Sequence, residues 1–215
     1  MTDLTLDEIR AALADDVAAN AAFDGWTPAA RDMAADAHDI DRDVAALALP
    51  DAVAMIGAWF AHIDDAMAEA LPLDTLAALK IRERIQRSVE ARLDAIGPNR
   101  EALRRALAIL AMPHNVAAGA RLGWRSVDLI WHRAGDTATD YNHYTKRGIL
   151  FGVYAATVTV FLDDESDQFV DTRAFLARRI EGIMRFEKAK SGFLKRTENM
   201  PSLSRFIGRL RYPVV

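Results

Sequence analysis

The 215-residue chain contains no cysteine, which excludes disulfides, thiolate metal sites and a cysteine nucleophile. Glycine (11 residues) and proline (7) are scarce, so few breaks interrupt regular structure. The longest apolar stretches, such as 149–162, fall short of the roughly 18–20 residues that cross a bilayer as a helix. The first 25 residues lack a basic start followed by an apolar run, so no secretory or mitochondrial leader is expected. Catalytic signatures are missing too. There is no H-E-x-x-H or E-x-x-H pair, glycine-rich phosphate loop, G-x-S-x-G elbow or dinucleotide fingerprint. His62 beside Asp64 and Asp65 offers a possible ligand pair, but a solvated polar helix face is the simpler reading. A non-enzymatic protein without metal or cofactor is expected.

What the chain does have is alanine, 40 residues of the best helix former. With 51% hydrophobic and 27% charged residues it can build a sizeable core. Helical periodicity runs throughout, and no alternating strand pattern stands out. Thr5 with Glu8 forms a capping box for a helix over 6–20. Gly25-Trp26-Thr27-Pro28 stops that helix and starts the next, over 28–37. A short third helix covers 41–47. Longer helices follow over 51–71, 74–96, 99–112, 116–134, 139–162 and 168–190, then a short one near 202–211. Asp136, Thr137 and Thr139 are placed to cap the helix that follows Gly135. From Ile149 onward that helix is apolar nearly all round, so it is expected to be the buried centre.

Charge is unevenly spread. Residues 1–75 hold 3 basic and 16 acidic side chains, net −13; residues 185–215 hold 8 basic and 2 acidic, net +6. The three short head helices have the order of a helix-turn-helix unit, with the long helices as a second bundle behind. That layout resembles the TetR repressor fold, whose rear bundle holds a small-molecule pocket and forms a homodimer. A DNA-reading head needs Lys and Arg against phosphate. Here the third helix reads Asp41-Arg42-Asp43-Val44-Ala45-Ala46-Leu47, which repels it. The fold class expected is therefore all-α, a TetR-like bundle with a degenerate N-terminal helix-turn-helix (1–49), a rear bundle (50–190) and a basic C-terminal segment (191–215). A ligand-responsive TetR-type regulator is the alternative.

The most specific stretch lies between Ser126 and Leu150. Gly135-Asp136-x-x-Thr139-Asp140-x-Asn142-x-Tyr144-Thr145-Lys146-Arg147 joins Asp128-x-x-Trp131, Pro113-His114-Asn115 and Gly25-Trp26-Thr27. In these motifs the sequence resembles the ubiquinone-biosynthesis lipid-binding accessory family, the ninth Coq protein, over essentially the whole chain. The resemblance implies a TetR-like protein that does not regulate genes. It implies binding of an isoprenoid quinone intermediate, association with membranes and delivery to the demethoxyubiquinone hydroxylase. By matching position, Asp140, Asn142, His143 and Tyr144 fall on the surface that meets the hydroxylase; the family usually has tryptophan at the place of His143.

Candidate pocket residues are Trp124, Trp131, Phe151 and Tyr154, with Met112 as an adaptable filler. The same side chains would serve equally as plain core. In the tail, Leu203, Phe206, Ile207 and Leu210 form an apolar stripe flanked by Arg205, Arg209 and Arg211, the pattern of a helix lying in a membrane interface. Docking on the bundle or on a dimer mate would use the same stripe. The expected setting is cytoplasmic and peripheral on the inner face of the cell membrane. A lipid, the hydroxylase, a membrane surface and a second copy are the expected partners, and nucleic acid is not.

Overall fold

The computed structural model describes residues 4–136 and 141–183, the side chains of the second stretch from Tyr144 onward. Local capping explains how the head begins. In α1 (Leu6–Asp24) the Glu8 amide donates to Thr5 Oγ1 at 3.3 Å, and the Glu8 carboxylate accepts from the Thr5 amide at 2.8 Å. Gly25, at φ +75°, ends α1 in a conformation open to glycine. Thr27 caps α2 (Pro28–Ala37), and Asp41 accepts from the Asp43 and Val44 amides to start α3 (Arg42–Ala48). These starts fall where the sequence predicts them. The alanine excess has a second use here. Ala14, Ala18 and Ala21 of α1, Ala30, Ala34 and Ala35 of α2, and Ala45 and Ala48 of α3 are all buried, so three short helices pack at close range.

Behind the head come α4 (Ala52–Ala70), α5 (Leu73–Ala77), α6 (Ile81–Ile96), α7 (Arg100–Leu110), α8 (Val116–Arg133), α9 (Tyr141–Leu162) and α10 (170–183). No strand occurs among the described residues. The core is built on the predicted stripe of α4 (Met55, Ile56, Trp59, Ile63, Met67) against Ile85, Val89 and Leu93 of α6. Trp26 stitches the head to this core. Its Nε1 donates to the Ala102 carbonyl at 3.0 Å, and its ring lies 5.5 Å from that of Trp59. Head and rear helices thus share one compact unit ending at Leu176; a second unit begins at Ala177, and the packing described here is that of the first. The tail helix expected near 202–211 lies outside the described residues.

Helices expose unpaired carbonyls at their C-termini, and in this chain arginines from elsewhere satisfy many of them. The last turns of α1, α3, α4 and α9 carry no basic residue. Arg133 donates to the Ala68 and Leu71 carbonyls at the end of α4. Arg104 donates to the Leu162 carbonyl at 2.7 Å, and Arg100 to those of Phe161 and Asp164. Arg10 and Arg31 serve the carbonyls of Ala48 and Leu49 at the end of α3. The same chemistry corrects one expectation: the single helix predicted over 74–96 is broken at 78–80. Arg84 collects the carbonyls of Ala77, Leu79 and Ala134 at 2.9–3.0 Å, while the Glu83 carboxylate accepts from the Lys80 amide at 3.2 Å. These bonds hold the turn without a glycine or proline to announce it.

A second correction concerns α9, expected to be buried all round. Leu150, Thr157, Val158 and Phe161 are buried, but Gly148, Gly152, Ala155 and Thr159 are exposed. This open face consists of small residues, so leaving it uncovered exposes little apolar area. No single helix among the described residues is long and apolar enough to cross a membrane. The α3–α4 pair has that composition only across a 79° bend.

Beyond α9, the Asp164 carboxylate accepts from the amides and hydroxyls of both Ser166 and Thr172, at 2.5–2.8 Å. Burial raises its pKa, but these hydrogen bonds outweigh it and bring the value from 3.8 down to about 2. A depressed carboxylate pKa stabilises the fold above the unfolded value and loses that contribution as pH falls through the folded one. The melting temperature of Asp164→Asn is expected to lie below wild type at neutral pH, the gap closing as pH drops from 3.8 to about 2. Thermal denaturation across that range checks it, and a gap that stays constant contradicts it. Arg84→Met, which strands three carbonyls, is expected to lose about 1–3 kcal/mol in urea unfolding.

Candidate functional site

The motif between Asp128 and Arg147 closes on itself. Gly135, at φ +92°, terminates α8, with its amide on the His132 carbonyl and the Asp136 amide on that of Trp131, both at 3.0 Å. The chain returns as α9, and Asp136 meets the residues ten and eleven positions on. Its carboxylate accepts from Lys146 Nζ at 2.7 Å and Arg147 Nη1 at 3.0 Å. Arg147 also donates to Asp128. Trp131 Nε1 donates to the Lys146 carbonyl at 3.1 Å, and the Lys146 ammonium lies 5.5 Å from the Trp131 ring centroid. The Asp136 side chain is committed to this clasp, and the α9 start it was expected to cap with Thr137 and Thr139 lies outside the described residues. Only 7% of the Asp136 side chain and 3% of that of Arg147 are exposed.

Burial works to raise the pKa of Asp136, but the hydrogen bonds of Lys146 and Arg147 prevail and lower it. The spacing Asp128, Trp131, Gly135, Asp136, Lys146, Arg147 is thus the spacing of one clasp that holds the ends of α8 and α9 together. Tyr144 stands beside it, 65% exposed, with its ring stacked on Trp124 at 6.3 Å. Asp140 and the side chains of Asn142 and His143 lie outside the described residues, as do Leu203, Arg205, Phe206, Ile207, Arg209, Leu210 and Arg211.

The pocket candidates are distributed along the α8–α9 seam. Trp124 and Trp131 sit on α8, Phe151 and Tyr154 on α9, and all four are half-buried. Phe151 packs so closely on Gly123 that a Cβ there would come within 2.6 Å of its ring. Met112 stands apart beyond the end of α7, 45% exposed. Tyr154 belongs to a network that sequence reasoning missed. Its hydroxyl accepts from Arg92 Nε at 3.2 Å, and Arg92 forms an ion pair with Asp64. Arg92 and Asp64 are buried, on α6 and α4. A signal did exist: an acid and an arginine each fall on the apolar stripe of a core helix.

The head's third helix presents Asp41, Arg42, Asp43, Val44 and Leu47 to solvent. Its one cation is engaged. Arg42 donates to both Asp36 oxygens, at 2.9 and 2.5 Å, and that bond raises the arginine's pKa and lowers the aspartate's.

Neutralising Asp136 is expected to loosen the clasp. Asp136→Asn should lower stability by about 2–3 kcal/mol, since it takes the carboxylate charge from between Lys146 and Arg147. Urea denaturation measures this, and an unchanged midpoint contradicts it.

A COQ9 family model matches residues 116–187. The ubiquinone biosynthesis protein COQ9, mitochondrial, of Bos taurus is 35% identical over 132 residues, covering 61% of this chain and 41% of that protein. The Homo sapiens protein of the same name is 42% identical over 97 residues, 45% of this chain and 30% of its own. The Drosophila melanogaster protein is 24% identical over 199 residues, 91% of this chain and 60% of its own. The chain thus spans less than half the length of the bovine and human proteins. In fold it is similar to a TetR transcriptional regulator from Nitrosomonas europaea ATCC 19718, with a TM-score of 0.65 and 22% identity over 80% of this chain and 95% of that one. The resemblance carried by the 135–147 motif is borne out: this chain bears the COQ9 family segment at residues 116–187, on a TetR-like fold.

Proposed function

We propose that the chain acts in ubiquinone biosynthesis as a non-enzymatic, membrane-associated lipid-binding protein. It binds isoprenoid quinone intermediates and presents them to the demethoxyubiquinone hydroxylase. The observation that carries this reading is the coincidence of the family segment, 116–187, with the clasp. Asp128, Trp131, Asp136, Lys146 and Arg147, which lock α8 to α9, all lie within that segment, and Tyr144 stands exposed beside them. A rigid base under an exposed aromatic suits a protein interface. The basic apolar stripe of 203–211 suits an anionic membrane surface. A second copy of the chain is part of the proposal, as are these two partners.

The regulator alternative fares worse against the head's charges. Its reading helix would approach phosphate with Asp41 and Asp43, and its only arginine is held by Asp36. Likeness to a TetR regulator at 22% identity speaks for the fold alone.

Extraction of the purified chain followed by mass spectrometry is expected to yield isoprenoid quinone or phospholipid. Binding to anionic liposomes is expected to fall when residues 201–212 are removed. Lipid-free protein with no liposome binding contradicts the proposal, and salt-sensitive shifting of an operator duplex favours the regulator.

A further inference from the structure

The head carries an apolar face bordered by its own acids. On α3, Val44 and Leu47 lie one turn apart and are 37% and 69% exposed. The start of α1 lies beside them. Arg10 Nε donates to the Ala48 carbonyl at 2.8 Å, and Leu6, one turn before Arg10 on the same side of α1, is 40% exposed. Asp41, Asp43 and Asp51, at the two ends of α3 and on it, are exposed, and none of them forms an ion pair among the described residues. The nearby cations are already committed, Arg10 to Asp7 and Arg42 to Asp36.

Unpaired carboxylates around an apolar face select a partner by charge. Nucleic acid and anionic lipid are repelled there. A neutral apolar segment would cover Val44 and Leu47 but leave the acids without a counterpart. A basic amphipathic segment meets both demands, and this chain carries one. Residues 201–212, outside the described residues, hold Leu203, Phe206, Ile207 and Leu210 in one helical stripe with Arg205, Arg209 and Arg211 beside it. At 1.5 Å per residue that stripe spans about 10 Å as a helix, the length of α3 itself. The charges are opposite over wider stretches too, net −13 in residues 1–75 against net +6 in residues 185–215. Away from a membrane, such a stripe needs another apolar surface to cover it.

We propose that the α1–α3 face of the head docks residues 201–212 of a second copy of the chain, the apolar stripe on Leu6, Val44 and Leu47 and the arginines against Asp41, Asp43 and Asp51. In solution the head then covers the segment that an anionic membrane takes up at its surface, so the two occupancies exclude each other. The acids that bar α3 from phosphate are the ones that hold the basic segment. The inference rests on the self-association and membrane contact of the proposed function, and it adds the surface used and the competition between them.

The cysteine-free chain permits a test with single cysteines in the full chain. Val44→Cys is mixed with Leu203→Cys under air oxidation, where a disulfide requires the two Cα atoms to come within roughly 4–7 Å. A linked dimer of the two variants is expected in about tenfold excess over that of Ala155→Cys with Leu203→Cys, Ala155 being exposed on α9. Adding Leu47→Asp to the Val44→Cys chain is expected to cut the yield about tenfold, circular dichroism verifying that the variant folds. Raising salt from about 0.05 to 0.5 M is expected to lower it. Phosphatidylglycerol vesicles are expected to lower it as well, and phosphatidylcholine vesicles to leave it unchanged. Equal linkage to Ala155→Cys, or a yield indifferent to Leu47→Asp and to salt, overturns the docking. A yield that phosphatidylglycerol leaves unmoved overturns the competition. In a chain carrying both Val44→Cys and Leu203→Cys, an internal disulfide in place of a linked dimer overturns the second copy as the source. Wild type that sediments as a dimer while the cysteines fail to link removes this surface and leaves self-association standing.

Discussion

Guanidinium groups that reach across to the carbonyl ends of other helices hold this fold in register. Arg133 closes α4 from α8, Arg100 and Arg104 close α9 from α7, and Arg84 closes α5 and the end of α8 at once. A planar fork with five donors suits this task better than a lysine ammonium, because one side chain can serve two or three carbonyls. Each bond also satisfies a group that would otherwise be left without a partner on burial. The arrangement lets a cysteine-free, glycine-poor chain end its helices sharply. It also fixes the relative positions of α4, α6, α8 and α9, the helices on which the clasp and the buried Asp64–Arg92–Tyr154 network depend.

The head combines a helix-turn-helix order with an acidic surface. Helix order and capping are those of a helix-turn-helix, and the likeness to a TetR regulator covers 80% of the chain. Yet its exposed third helix is acidic and apolar, with Arg42 tied to Asp36. Buried alanines and the Trp26–Trp59 contact give the head a structural role as the wall against which α4 packs.

The sequence made the first two capped starts legible, because Thr5–Glu8 and Thr27–Pro28 act within three residues of themselves. It also marked the 135–147 motif, whose spacing the clasp explains. The break at 78–80 was hidden, since Arg84 makes it through carbonyls up to fifty residues away and no local residue reports it. The exposure of α9 was hidden for a related reason: apolar periodicity shows what a helix can bury, not which faces find a partner. Tyr154 was singled out as pocket lining, and its bond to Arg92 follows from a helix pairing that only the fold reveals. The buried charges on α4 and α6 were visible as residues but not as a pair, since nothing local brings Asp64 to Arg92.

The most direct measurement is the quinone profile of cells from which this gene has been deleted. A role in presenting the intermediate to the hydroxylase predicts that ubiquinone falls and its demethoxy precursor accumulates, with both restored by the wild-type gene. An unchanged ubiquinone level with no precursor accumulation would contradict that role.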